Sequence, residues 1–215
     1  AEQDGWHLAL DGLMDAVASK RVLALWPQRF VSKTRNWLTR NVLSGDVHDI
    51  DLALRLAPGQ VPQSFVAFDY ENASVKFMKH MPPVMDGQGH FSLSDNRLVV
   101  SMDAGHVRPP SGGVMQLAGS SFILPDVTIK DGPPAVIRLQ ARSSTTAALS
   151  VLNQKPLSVM DKAGMPVDLV DGQVRLAGTL ALPLKRGTNL SQLNFHFDGD
   201  VANASTDRLV KGRAL

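Results

Sequence analysis

The chain has 215 residues, 44% hydrophobic and 20% charged, with a formal net charge of +2. That is enough for one large β domain or two small ones, and it lacks the global basic field that nucleic-acid binding calls for. Cysteine is absent, which excludes disulfides, thiol catalysis and thiolate metal sites. No apolar run reaches the ~20 residues of a membrane-spanning helix. With neither a signal peptide nor an initiator Met at its head, the sequence reads as a mature chain or an excised fragment.

In chain order, Leu8–Leu10 reads as a short strand, followed by a helix from about Leu13 to Trp26 capped by Asp11 and interrupted at Pro27. Ser32 or Thr34 is placed to cap a second helix through Trp37, Leu38 and Val42, stopped by Gly45. Residues 1–45 are therefore expected to form a helical cap. All three tryptophans lie there, with Arg29, Lys33, Arg35 and Arg40 among the basic residues.

Beyond Gly45 the pattern turns to strands. Ile50, Leu52, Leu54 and Leu56 alternate with polar or small residues until Pro58-Gly59 turns the chain. Gln63–Tyr70 and Ser74–Lys79 read as two strands. Gly89–Ser94 and Arg97–Asp103 read as a hairpin about Asp95-Asn96, with Leu98, Val100 and Met102 on one face. Val114–Phe122, Val127–Lys130 and Ala135–Ala141 are further strands. Ser144 caps a short helix, Thr145–Gln154, that ends before Pro156.

The clearest periodicity follows. From Gly172 to Lys185, Val174, Leu176, Leu180, Leu182 and Leu184 share one face, with Gly178 the only gap. From Leu193 to Val201, Phe195 and Phe197 continue the alternation against Asn194, His196, Asp198 and Asp200. Period two means strands with one apolar and one wet face. The first of these, at roughly 3.3 Å per residue, would reach about 40 Å. Residues after Val201 carry no clear pattern. The order of helices, many strands, one helix and more strands implies a mainly β (α+β) single domain, with the sheet over residues 46–205.

Little in the sequence points to catalysis. The histidines are scattered, with no HxH or HExxH spacing, so no metal site is expected. There is no GxSxG elbow, phosphate-binding loop or dinucleotide fingerprint. The pairs Asp49/Asp51 and Asp198/Asp200 fit a solvated strand face better than acid–base work in a cleft. No catalytic residue and no cofactor is expected. The basic, tryptophan-bearing start is the one unusual constellation. Trp26, Arg29, Lys33, Arg35, Trp37 and Arg40 suit contact with anionic headgroups. Equally, Trp26 and Trp37 suit a plug at one end of the sheet.

Several segments in this order resemble a known family. Leu25-Trp26-Pro27, Arg35-Asn36-Trp37-Leu38, Asn41-Val42 and Gly45-Asp46-Val47 resemble the opening of an AsmA-like domain of bacterial envelope proteins, nearest the large YhdP-type relatives of TamB. Gly87-Gln88-Gly89-His90-Phe91-Ser92-Leu93 with Asp95-Asn96-Arg97-Leu98 is similar to that branch's hairpin. Ala147-Ala148-Leu149, Lys155-Pro156-Leu157 and Leu180-Ala181-Leu182-Pro183-Leu184 are similar to its later landmarks.

The resemblance implies a long, curved antiparallel sheet folded like a taco around an apolar groove. It also implies a periplasmic setting, with the full-length protein tethered to the inner membrane, and a role in phospholipid transport or outer-membrane homeostasis. It supplies no catalytic residues. On that reading the groove is lined by Leu98, Val100, Met102, Val174, Leu176, Leu180, Leu182, Phe195 and Phe197. The partners are a phospholipid or other acyl-chain ligand and adjacent segments of a longer parent chain, with no nucleic acid. Two alternatives stand beside it: an ordinary closed core, and a structural module whose open sheet edges stack with neighbouring segments.

Overall fold

Strand-period alternation dominates the molecule. The computed structural model describes residues 6–18, 21, 32–60, 63–185 and 192–206, with only the backbone for 32–35. Strand β1 (Leu8–Ala18) precedes helix α1 (Ser32–Asn41), which runs directly into β2 (Val42–Leu56). Then come β3 (Gln63–Val75), β4 (Val84–Ser94), β5 (Arg97–Val107), β6 (Met115–Gln116), β7 (Ser121–Leu124) and β8 (Pro134–Ser144). Helices α2 (Thr145–Leu152) and α3 (Val159–Ala163) separate β8 from β9 (Asp171–Pro183) and β10 (Asn194–Ser205).

The strands form one ten-stranded antiparallel sheet in the order β1-β2-β3-β4-β5, then β8-β9-β10. The short strands β6 and β7 each bridge β5 to β8. Short connections join β2 to β3, β3 to β4, β4 to β5 and β9 to β10, whereas the β1–β2 and β8–β9 connections are longer and carry the helices. Among the described residues β1 and β10 are the edges, and no helix is long and apolar enough to cross a membrane.

The expected helical cap is corrected at its first element. Leu8–Ala18 is a strand paired with β2 from Leu8↔Leu56 to Ala18↔Asp46. Helix propensity differs by only tenths of a kcal/mol per residue among ordinary residues. A full ladder on the free edge of β2 outweighs it. Leu10 and Met14 then stand opposite Leu54 and Ile50, and Asp11 pairs with Arg55 at 2.6 Å instead of capping a helix. Residues 22–26 of the expected helix lie outside the described residues. The second expected helix forms as α1, but Val42–Gly45 already belong to β2, so the sheet does not wait for residue 46.

Further boundaries differ: Val114–Phe122 is two short strands, β6 and β7, and a second helix, α3, follows the expected late one. Gln63–Val75 is one strand, because the left-handed Asn72 (φ 52°) makes a bulge in the ladder rather than a turn out of it. Val127–Lys130 is not a strand: the Asp126 carboxylate accepts from the Thr128 amide (2.8 Å) and hydroxyl (2.6 Å), folding the backbone into an Asx turn. Strand β10 runs on to Ser205 against β9. The Asp95-Asn96 hairpin forms as expected, both turn residues having positive φ (49° and 64°), as a type I′ turn requires. Ser144 caps α2, its hydroxyl accepting from the Ala147 amide at 3.2 Å.

A buried hydrophobic cluster lies where α2 meets the sheet. Val107, Met115, Leu117 and Ala141 are buried together, with Val84, Met102, Leu139, Leu176 and the α2 residues Ala148 and Val151 against them. Ala147 and Ser150 of α2 are fully enclosed.

Candidate functional site

In an antiparallel pair, directly opposed residues point to the same face. Register therefore carries one face across the sheet. A row runs Phe68↔Phe91↔Val100↔Phe122↔Ile137↔Leu180↔Phe195, from β3 to β10. To one side lie Val66↔Leu93↔Leu98↔Leu124 and Ala135↔Leu182. To the other lie Tyr70↔Gly89↔Met102 and Leu139↔Gly178↔Phe197. Val174 and Leu176 extend the same face toward the start of β9, opposite Ser143 and Ala141.

Every residue expected to line a groove thus lies on one face of one sheet. They are not equally available. Met102 and Leu176 pack into the buried cluster beneath α2. Leu98, Val100, Val174, Leu180 and Leu182 are half-buried, whereas Phe195 on the edge strand is 63% exposed. The opposite face is mixed: Arg138↔Thr179↔His196 and Arg142↔Arg175↔Asp200 cross it, beside the apolar row Val99↔Ile123↔Val136, where Ile123 is buried.

Four members of the main row, Phe68, Phe91, Phe122 and Ile137, stand outside the lining expected from sequence. Phe68 and Phe91 stack face to face, centroids 4.5 Å apart and planes 8° apart. Phe91-Ser92-Leu93 alternates locally, whereas Phe65-Val66-Ala67-Phe68 is apolar without a break, so no period marks the face of Phe68. That Phe68 and Phe91 join β9 and β10 on one face depends on register, which the sequence does not state.

Two glycines on this face are filled from the adjacent strand. The Phe197 ring lies over Gly178, which accounts for the single gap in the β9 alternation. Tyr70 lies over Gly89, its hydroxyl donating to the Ser101 carbonyl at 2.7 Å. Burial, aided by the charge of Asp103, pushes the Tyr70 phenol up to about 12, so it stays a neutral donor.

The basic, tryptophan-bearing start is described only in part. Trp26 and Arg29 lie outside the described residues. Lys33 and Arg35 belong to the backbone of α1. Trp37 and Arg40 are exposed on α1, where the Arg40 guanidinium donates to the Asn36 carbonyl at 3.0 Å.

The described residues thus join one apolar row across β3, β4, β5, β7, β8, β9 and β10. No family model matches this chain, and neither a curated protein nor a solved structure matches it.

Proposed function

We propose that this chain is a non-enzymatic lipid-handling module of the bacterial cell envelope. On this reading its apolar sheet face is one segment of a groove for phospholipid acyl chains, serving phospholipid transport or outer-membrane homeostasis from the periplasm. The AsmA-like resemblance supports the setting and the inner-membrane tether of the parent protein. The observation that carries the reading is the unbroken row from Phe68 to Phe195.

Acyl chains need a continuous apolar lining, and headgroups need a wet rim. Six inter-strand spacings of about 4.8 Å give the row a length of about 29 Å. One leaflet of a bilayer's hydrocarbon core is about 15 Å deep, half of ~30 Å. The row is therefore long enough for an extended acyl chain. Bulges at Asp49, Asn72 and Asp86 in β2, β3 and β4 favour a bent sheet, since a bulge bends its strand and raises its twist.

The test is native mass spectrometry and lipid extraction of the purified protein, with a photo-crosslinker at Leu180 or Phe195. Recovered phospholipid and lipid adducts at both positions are expected. Protein free of phospholipid, with no adduct at either position, overturns the reading.

A second reading has its own support. Both edge strands are long and exposed, 11 residues in β1 and 12 in β10, and among the described residues each leaves one side of its backbone unpaired within the sheet. Such edges are templates for strand addition by a neighbouring segment. If stacking is the function, proline substitutions in β10 abolish partner binding while charges on the apolar face do not.

A further inference from the structure

The wet face of β2, β3 and β4 carries a second feature, independent of the apolar face. Register places His48, Asp69 and His90 side by side across the three strands. Neighbours in a regular strand point to opposite faces. At Asp49 the backbone is left-handed (φ 51°) and the register shifts, so its carboxylate swings to the His48 side. His48 Nδ1 and Asp49 Oδ2 are 2.8 Å apart. The ligand atoms offered by His48, Asp49 and Asp69 all lie within 4.8 Å of one another.

Three further facts bear on what this cluster holds. The Asp69 Oδ1 atom is 2.6 Å from His90 Nδ1, which orients that carboxylate as outer-sphere partners orient metal ligands. His48 Nε2 is shielded from solvent and has no hydrogen-bond partner among the described residues, while the Glu71 carboxylate stands 3.6 Å away. Asp49, Asp69 and Glu71 together concentrate negative charge around the imidazole. A mixed imidazole and carboxylate set without sulfur suits a borderline transition metal, whereas calcium or magnesium would demand an all-oxygen shell.

We propose that His48, Asp49 and Asp69 form a binding site for a divalent transition-metal ion of the zinc class, with His90 as the positioning residue. The ion offsets the clustered carboxylates and ties β2 to β3. Its ligands bind deprotonated, so loading releases a proton from the His48–Asp49 pair when that pair is protonated.

The test titrates Zn²⁺ into the purified protein by calorimetry against a competing chelator, with the histidine ring resonances followed by NMR. Variants are H48Q, D69N and H90Q, with H196Q as control, since His196 faces Asp198 at 3.0 Å in an exposed pair on β10. About one equivalent of zinc should bind, with His48 resonances shifting first. Affinity should fall at least about tenfold in H48Q and D69N, and about tenfold or more in H90Q, in the range seen for outer-sphere partners. H196Q should bind as the parent does. Equal affinity in the parent and H48Q, or a loss in H196Q as large as in D69N, overturns the site. If a variant unfolds, the parent's resonances decide: shifts confined to His48 and His90 support the site, and shifts at His196 or none at all overturn it.

Discussion

Gly89 is a position where the apolar face has no room for a side chain. A Cβ there would overlap the Ser101 carbonyl oxygen and come within 2.9 Å of both the Ser101 carbonyl carbon and the Tyr70 hydroxyl. The first two atoms are backbone of β5, so relief requires the β4–β5 ladder to shift. Gly89→Ala should therefore incur an overpacking strain of about 1–3 kcal/mol. It should also lose the Tyr70–Ser101 hydrogen bond, about 1 kcal/mol, for a total of about 2–4 kcal/mol. The assay is denaturant unfolding, with the midpoint falling and the slope unchanged. Tyr70→Phe alone should cost about 1 kcal/mol. In the Gly89→Ala background it should cost less, because that bond is already displaced. A Gly89→Ala protein within about 0.5 kcal/mol of the parent, the range of ordinary surface changes, would refute the reasoning.

Other expectations follow from the same geometry. The Tyr70 phenol is raised from 10 to about 12 in the folded state, so its contribution to stability is complete below pH 10 and is lost as pH rises through 12. Unfolding midpoints measured across that window should fall less steeply for Tyr70→Phe. The hydrogen bond to Asp49 holds the His48 imidazole above its usual 6.5, against the pull of desolvation. Its stabilisation is therefore present below pH 6.5 and fades as pH rises through the folded value; NMR titration of Asp49→Asn should return His48 toward 6.5, and an unchanged titration would remove Asp49 as the cause. Val100→Asp sets a carboxylate between Phe91 and Phe122 and should reduce co-purified phospholipid severalfold, whereas Thr179→Asp on the opposite face should not. Ser144→Ala removes the cap of α2 and should cost about 1 kcal/mol by thermal or chemical unfolding.

Much of the sheet was legible in the chain because period-two alternation is a local property. Val174–Leu182, Phe195–Phe197, the Asp95-Asn96 hairpin and the Ser144 cap each depend on residues a few positions apart. What failed locally was also informative. Leu13–Ala18 carries helix-compatible residues, and only the free edge of β2 makes it a strand. Glu71–Ala73 reads as a gap between two strands, whereas in the ladder Asn72 is a bulge. His48 and Asp49, read with strict alternation, belong on opposite faces; the bulge at Asp49 brings them together.

The sequence by itself determined which side of β5, β9 and β10 is apolar, because side chains alternate along an extended backbone whatever lies beside it. Only the tertiary structure decided that these sides join into one face from Phe68 to Phe195, since register is a relation between strands and not a property of any one of them. The same holds for Gly178. Alone it is a gap in a row of leucines and valines; beside β10 it is the space that the Phe197 ring fills.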